Sequence, residues 1–216
     1  EAQPRLLSFD AGELDYVSVP ASLSARVLAG PALKADYARR GVALQREVQP
    51  SLSFFYFNLE HPLVGGYAPE KIGLRRAISM GYDRQAAISQ LLDGQGIPAS
   101  QPVPPPLFGH DPKYIAPYGY DPAAARALLD KFGYRDRDGD VLASTTTAAS
   151  RASDELWKRN MDALGLRITF LKNKWPELNK MSEAGQLMMW GFAWASSIPE
   201  GIDFYTRTKV VTSRWP

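Results

Sequence analysis

The sequence predicts an α/β fold, in which β-strands alternate along the chain with amphipathic helices. Helix-like spacing of apolar residues alternates with short apolar runs over the second half of the 216 residues. With 45% hydrophobic and 22% charged residues, the chain can bury a core. No apolar run approaches the roughly 18 residues that cross a bilayer, so the hydrophobic segments are expected to be core strands and helices.

The first fifty residues are predicted to form short elements. Residues 4–9 and 15–20 have the composition of small strands on either side of a turn at Gly12. Residues 21–30 have the pattern of a helix that ends at Gly30. This region is therefore expected to contribute two strands and one helix.

The middle of the chain begins with an aromatic strand. Residues 51–59 are rich in phenylalanine and tyrosine, which suits a strand buried on both faces near the middle of a sheet. Residues 69–93 show two helical faces separated near Gly81, with Gly94 as the left-handed residue that ends the helix. Residues 94–122 contain eight of the 17 prolines and are expected to form a long irregular connection.

The clearest helix follows this connection. Asp121 is placed to cap it, Pro122 suits its first turn and Gly133 follows its last turn. The remaining segments are predicted in the order strand 141–148, helix 153–165, strand 166–171, helix 176–184 and strand 186–195.

Several classes of site are excluded or disfavoured by composition. The absence of cysteine excludes disulfides, thiolate zinc sites, iron–sulfur clusters and cysteine nucleophiles. The formal charge is only +2 and the basic residues are scattered, so nothing indicates a nucleic-acid surface. His61 and His110 have no partner at metal-binding spacing and are interpreted as surface imidazoles.

An acidic run resembles the start of a calcium loop but departs from it. Asp136, Asp138 and Asp140 have the right spacing, whereas Gly139 occupies the fourth position instead of the sixth. The twelfth position is Thr147, which supplies no bidentate carboxylate, so we interpret the run as a solvated turn. No motif combines an acid, a base and a nucleophile, although hydrolysis by carboxylates alone stays open.

Aromatic residues are the remaining candidates for a binding surface. Alternation along a strand places Trp190, Phe192 and Trp194 on one face. The same alternation places Phe55, Phe57 and Leu59 together. Either set could pack in the core or form the apolar wall of a ligand cleft.

Several segments together resemble the extracellular solute-binding proteins of family 5, the oligopeptide, dipeptide and nickel type of ABC-importer receptor. The hallmark match is LRRAISMGYDRQAAISQLLDGQGIPASQPVPP, followed by GYDPAAARALLDKFGY. Further matches are, in chain order, AGELDYVSVP, FFYFNL, MDALGLRITF and MMWGFAWASSIPEGIDFY. Because they cover nearly the whole chain in the family's order, they are more specific than any one motif.

The resemblance implies a class II periplasmic-binding-protein-like lobe, with a mixed sheet and flanking helices, from an incomplete bilobal receptor. Complete members of the family are much longer than 216 residues, so the chain is expected to be a fragment. Residues 1–49 would be the end of the first-lobe domain, and residues 50–216 would be part of the C-terminal lobe domain.

The function implied is that of a substrate-binding receptor of an ABC importer, which captures a peptide or other small solute by lobe closure. The resemblance further implies no enzymatic activity, no cofactor and no metal. ABC permease subunits at the membrane would be its partners, with no nucleic acid, and it would be a monomer in the periplasm or tethered outside the cell. Two alternatives stay open: a carboxylate-dependent α/β hydrolase, and a sensor or chaperone that uses the same fold.

The resemblance also implies a ligand strand. In peptide-binding relatives, the strand matching GFAWA runs along the ligand, beside the tryptophan that is here Trp194. The expected ligand-binding residues are Asn58, Ala193, Trp194, Ala195, Ser197 and Asp203.

One position departs from the family's pattern. Ser197 stands where peptide-binding relatives carry an aspartate that pairs with the peptide's ammonium group. Because a serine cannot neutralise a buried cation, we expect that Glu200 or Asp203 takes over the task of that aspartate, that the solute carries no cation there, or that the receptor contacts it indirectly.

Overall fold

The computed structural model describes four stretches of the chain, namely residues 2–105, 107–134, 140–145 and 147–196. The chain divides into two compact units. Unit 1 consists of Glu1–Val48 and Gln85–Ile97, and unit 2 consists of Gln49–Arg84 and Pro98–Pro216.

The described residues form eight helices and six strands. The helices are α1 (Ala2–Asp10), α2 (Ala21–Val27), α3 (Ala35–Arg39), α4 (Pro69–Gly81), α5 (Arg84–Leu91), α6 (Pro122–Lys131), α7 (Ala148–Asp162) and α8 (Trp175–Glu183). The strands are β1 (Leu28–Ala29), β2 (Ala32–Leu33), β3 (Ser51–Phe57), β4 (Asp140–Thr145), β5 (Ile168–Asn173) and β6 (Met189–Ala195).

Unit 1 is mainly helical, with one short hairpin. Leu6, Val27 and Tyr37 are buried together in its core, and Phe9 packs against them. The hydroxyl of Tyr37 donates a hydrogen bond of 2.8 Å to the carboxylate of Asp10 at the end of α1. This contact joins α1 to α3 within the unit.

The two strands predicted in the first twenty residues are wrong. Residues 4–9 lie in α1, and residues 15–20 form no regular element. Leu6 and Phe9 are three residues apart and share the core face, as helical geometry requires. An apolar run this short does not distinguish a strand from a helix.

The helix predicted over residues 21–30 is confirmed as α2, although it ends at Val27. Strands β1 and β2 then form a hairpin in which Ala29 faces Ala32. Gly30 lies in the hairpin turn with a φ of +61°, so it serves the turn instead of ending the helix.

Unit 2 contains the four-stranded mixed sheet, in the order β3-β6-β4-β5. Strand β3 is antiparallel to β6, whereas β4 is parallel to both β5 and β6. Helices α4, α6 and α7 contribute to the core on one face, where Leu142 and Met189 are buried. Helix α8 covers the other face through Leu178, which packs with Ala143 and Trp190. The predicted mixed sheet with flanking helices is confirmed.

Strand β3 is confirmed, but its predicted place in the sheet is wrong. It lies at the edge of the sheet, and Ser51, Ser53 and Phe55 on one of its faces are exposed. On that same face, Phe55 still contacts the rings of Tyr82 and Trp157, and Phe57 packs against the core. The composition of the segment alone does not reveal which of its side chains are covered.

Most helix boundaries follow their local signals. Residues 69–93 form the two helices α4 and α5, and residues 94–105 and 107–121 are irregular apart from an isolated bridge at Phe108, as expected. The side chain of Asp121 accepts a 2.9 Å hydrogen bond from the backbone N–H of Ala124, which confirms the predicted cap. Helix α7 begins at Ala148, earlier than expected.

The two histidines bond to loop backbone instead of standing free at the surface. Nδ1 of His61 accepts from the N–H of Leu63 at 3.2 Å, and burial lowers the pKa of His61, with Lys71 adding to the effect. Nδ1 of His110 lies 2.8 Å from the carbonyl oxygen of Val103.

The described residues contain no helix that is both long enough and apolar enough to cross a membrane. Within the same part of the chain, no group of three or more histidine or acidic side chains is arranged to hold a metal ion. Asp136 and Asp138 of the acidic run lie outside the described residues.

Candidate functional site

The topology of unit 2 indicates where a ligand is expected at one end of the sheet. Strand β4 connects through α7 to β5 on one side, and β5 connects through α8 to β6 on the other side of β4. The chain therefore adds β5 on one side of β4 and then β6 on its other side. This reversal of direction makes the position between β4 and β6 a topological switch point. In open α/β sheets, ligands bind outside the carboxyl ends of the strands at such a point.

Strands β4 and β6 also separate at this end. Their register pairs Leu142 with Met189 and Ala143 with Trp190. No later pair joins these two strands among the described residues, although β6 continues to Ala195. The carboxyl half of β6 is thus paired with β3 on one side, and on its other side it is not paired with the described residues of β4.

The backbone of β6 has a defined orientation along this separated edge. The N–H of Asn58 donates to the carbonyl of Met188 at 2.9 Å, and that of Ser196 donates to the carbonyl of Pro50 at 2.8 Å. Hydrogen-bonded pairs alternate along an antiparallel ladder, so the N–H and C=O groups of Ala193 and Ala195 point away from β3. Among the described residues, no ladder partner faces these two alanines on that side.

One face of this edge is aromatic. The register places Trp190, Phe192 and Trp194 on the same face, as the sequence predicts, opposite Tyr56, Phe54 and Leu52. Trp190 is 2% exposed beneath α8. The ring centroid of Phe192 lies 5.8 Å from that of Trp190 and 6.3 Å from that of Trp194. The face therefore runs from the core to the carboxyl end of β6 without a break.

Side chains from two other segments pack against this aromatic face. On one side, Val103 and Leu107 of the proline-rich connection pack against Trp194. On the other side, the Trp175 ring lies 5.6 Å from the Phe192 ring and 5.2 Å from the Trp190 ring. Trp175 nevertheless remains 48% exposed.

The opposite face of the sheet is held by the aromatic cluster Phe55, Tyr82 and Trp157. The rings of Tyr82 and Trp157 stack at 4.1 Å, and Phe55 meets Trp157 edge-on at 4.7 Å. Phe55 covers Gly191, where a Cβ atom would lie 2.7 Å from the Phe55 ring. Burial, together with the nearby charge of Asp83, raises the pKa of Tyr82 to about 12. The cluster anchors β3 and β6 where β6 leaves β4.

A polar group lies at the carboxyl ends of β4 and β5 on that same face. Lys172 forms an ion pair with Asp154 of α7, and its Nζ lies 3.4 Å from Oγ of Ser144. Burial lowers the pKa of Lys172, and the charge of Arg151 lowers it further. Because Lys172 is paired with Asp154, we interpret the group as a link between α7 and the sheet.

The expected ligand-binding residues do not all come together. Ala193, Trp194 and Ala195 are adjacent on β6, whereas Asn58 lies at the other end of the ladder, about 20 Å away at roughly 3.3 Å per residue. The side-chain amide of Asn58 donates to the carbonyl of Gly185 at 2.8 Å and accepts from the N–H of Glu60 at 2.9 Å.

Two of the six expected ligand-binding residues, Ser197 and Asp203, lie outside the described residues, and so does Glu200, the other candidate replacement for the family's aspartate. Sequence reasoning missed Trp175. Its position directly after β5, at the carboxyl end of a strand in an α/β sheet, is the signal that could have identified it.

Comparison with known proteins gives one family. Residues 1–212 match the profile of the bacterial extracellular solute-binding proteins, family 5 middle region. The chain is 30% identical over 138 residues to di/tripeptide-binding protein 2 of Pseudomonas aeruginosa, covering 62% of this chain and 26% of that protein. It is 25% identical over 151 residues to heme-binding protein A of Haemophilus influenzae, covering 67% of this chain and 26% of that protein. The chain thus spans about a quarter of these relatives' length.

Solved structures share the fold. HbpA2 from Haemophilus parasuis superposes with a TM-score of 0.78 at 19% identity, covering 100% of this chain and 42% of that one. DppA from Helicobacter pylori, a periplasmic binding protein in complex with the peptide STSA, superposes with a TM-score of 0.72 at 18% identity. That match covers 99% of this chain and 39% of the other. The described architecture is therefore part of a periplasmic-binding-protein fold.

Proposed function

The chain belongs to family 5 of the bacterial extracellular solute-binding proteins, and from this premise we propose that it is part of the substrate-binding receptor of an ABC importer. The receptor closes on a peptide or another small solute and delivers it to the membrane permease, at the periplasmic or outer face of the cell membrane. It acts as a monomer and performs no covalent chemistry. Residues 1–49 end its first-lobe domain, and residues 50–216 belong to its C-terminal lobe domain.

The observation that carries this proposal is the separated edge of β6. Ala193 and Ala195 direct main-chain N–H and C=O groups toward the side that β4 has left, at the switch point of the sheet. A short peptide can add there as a strand, with affinity from main-chain hydrogen bonds and selectivity from side-chain pockets. A relative named for binding di- and tripeptides supports a ligand of this size. The family assignment does not favour the hydrolase alternative.

The ligand-binding residues in this proposal are Ala193, Trp194 and Ala195, together with Ser197 and Asp203 beyond the described residues. Asn58 has a supporting role at most in this geometry, because both ends of its side-chain amide already bond to backbone.

Replacing Ala193 with proline in the full-length receptor tests the main-chain contact. Proline removes the N–H that faces the ligand edge, while the hydrogen bonds to β3 belong to the neighbouring residues. We expect the affinity for the tripeptide Ala-Phe-Ala to fall about 10- to 100-fold, because a buried ligand carbonyl loses its donor. Isothermal titration calorimetry measures this change.

The matched control is Ala193→Ser, which keeps the N–H at an exposed position and should change the affinity less than about threefold. Unchanged affinity in the proline variant would contradict the proposed contact. A receptor that binds no di- or tripeptide, whether its amino terminus is free or acetylated, would refute the proposed peptide ligand.

The serine at position 197 leads to a second expectation for the same receptor. Without the family's aspartate, the subsite has no built-in partner for a free ammonium group, unless Glu200 or Asp203 supplies one. We propose that the solute carries no cation at this subsite. N-acetylation of a tripeptide should then leave its calorimetric affinity unchanged or raise it, because no ammonium group is left unpaired in the subsite, whereas loss of binding on acetylation would show that a carboxylate fills the role.

A further inference from the structure

The proline-rich connection contains a loop that a side chain closes. The side-chain amide of Gln101 donates a 2.7 Å hydrogen bond to the carbonyl of Asp111 and accepts a 3.1 Å hydrogen bond from the N–H of the same residue. A third contact lies inside the loop, where Nδ1 of His110 is 2.8 Å from the carbonyl oxygen of Val103. We call residues 101–105 and 107–111 the closed loop.

The composition of this segment explains why a side chain closes it. Four of the eleven residues from 101 to 111 are prolines, which have a fixed φ and no backbone N–H. A segment with so few donors cannot join its two ends by a ladder of backbone hydrogen bonds. The amide of Gln101 supplies one donor and one acceptor together, as the backbone of a facing strand residue would do for Asp111.

The closed loop packs on the end of the β3–β6 ladder. Val103 is completely buried and Leu107 is 6% exposed, and these two side chains form a cluster against which Leu52 and Trp194 pack. Leu52 and Trp194 face each other in the ladder, one pair before its last pair. The closed loop therefore covers the ladder at the end where β6 is no longer paired with the described residues of β4.

This end of the ladder depends on such a cover for its order. Beyond the pairing of Ala143 with Trp190, β6 is paired only with β3 among the described residues. Two strands on their own are marginally stable in water, and the ends of an element open most easily. Ala193 and Ala195, whose N–H and C=O groups face the ligand edge, lie in this part of β6. Order that exists before binding lowers the entropic cost of binding.

We propose that Gln101 is a positioning residue for solute binding. By closing the loop it keeps Val103 and Leu107 against the end of the ladder, and the ladder in turn keeps the separated edge of β6 extended. Gln101 has this effect without touching the solute. The inference rests on the proposed receptor function and adds a residue outside the ligand strand on which affinity depends.

Two substitutions in the full-length receptor test the inference by calorimetry. Gln101→Ala removes both hydrogen bonds, whereas Gln101→Glu keeps the size of the side chain and removes the bond that the amide donates. We expect each variant to bind Ala-Phe-Ala, or its N-acetylated form, about three- to tenfold more weakly, because the edge must then be ordered on binding. Gln186→Ala is the matched control, since Gln186 is an exposed glutamine of the same unit, and its affinity should equal that of the unaltered receptor.

Hydrogen exchange, followed by NMR without peptide, separates this role from a general loss of stability. The N–H of Trp194 faces Leu52 in the ladder and should exchange about three- to tenfold faster in both Gln101 variants. The N–H of Trp190, a residue buried under α8 on the same strand, should keep its rate.

Unaltered affinity, unaltered exchange at Trp194, or equal acceleration at both tryptophans would each overturn the inference. A receptor that binds neither form of the tripeptide would instead count against the proposed peptide ligand. In that case the two exchange rates would still test whether Gln101 orders the edge.

Discussion

Replacing Trp157 with alanine should lower the free energy of unfolding by about 3–5 kcal/mol, the range found for buried aromatic residues. Trp157 is 3% exposed and contacts Tyr82 by stacking and Phe55 edge-on. The change leaves a cavity between α7 and β3 and removes two aromatic contacts at once. Denaturant unfolding of the full-length protein, followed by circular dichroism, measures the loss.

Tyr67→Ala is a suitable control, because Tyr67 is exposed in the same unit and its loss should change stability by less than about 0.5 kcal/mol. Trp157→Phe refines the test. The indole N–H of Trp157 is buried without a hydrogen-bond partner among the described residues, so phenylalanine removes an unsatisfied donor together with part of the ring. It should cost less than half as much as alanine. A loss below about 1 kcal/mol in the alanine variant would show that the aromatic cluster is not part of the stabilising core.

The elements predicted best are those whose signals are local. Helix α6 was predicted from Asp121, Pro122 and Gly133, and its cap, first turn and left-handed end occur at those residues. Such signals act within a few residues of the chain, because a side chain caps the turn that it begins. The alternation of strands and helices, which predicted the fold class, is likewise visible in the sequence.

Other features depend on contacts between distant segments. The edge position of β3 follows from its pairing with β6, more than 130 residues later in the sequence. Likewise, Phe55 packs over Gly191 and against Trp157. Both residues are distant in the sequence, so no local pattern predicts these contacts. Composition correctly predicted a strand in that segment but not its neighbours.

Some features of the candidate site also follow from local sequence patterns, whereas others depend on contacts between distant segments. The face shared by Trp190, Phe192 and Trp194 follows from strand alternation, and the register confirms it. Trp175 joins them only because the β5–α8 connection returns to the same end of the sheet. Asn58, which the resemblance lists with the ligand-binding residues, directly follows β3, and because β3 runs antiparallel to β6 it lies at the opposite end of the ladder from Trp194.

Replacing Leu178 with alanine should lower the free energy of unfolding by about 2–5 kcal/mol, as expected for a completely buried leucine. Its side chain packs with Ala143 and Trp190 and holds α8 on the sheet. Lys180→Ala, at an exposed position of the same helix, should change stability by less than about 0.5 kcal/mol. Denaturant unfolding compares the two variants, and a loss below about 1 kcal/mol for Leu178→Ala would mean that α8 is held by other contacts.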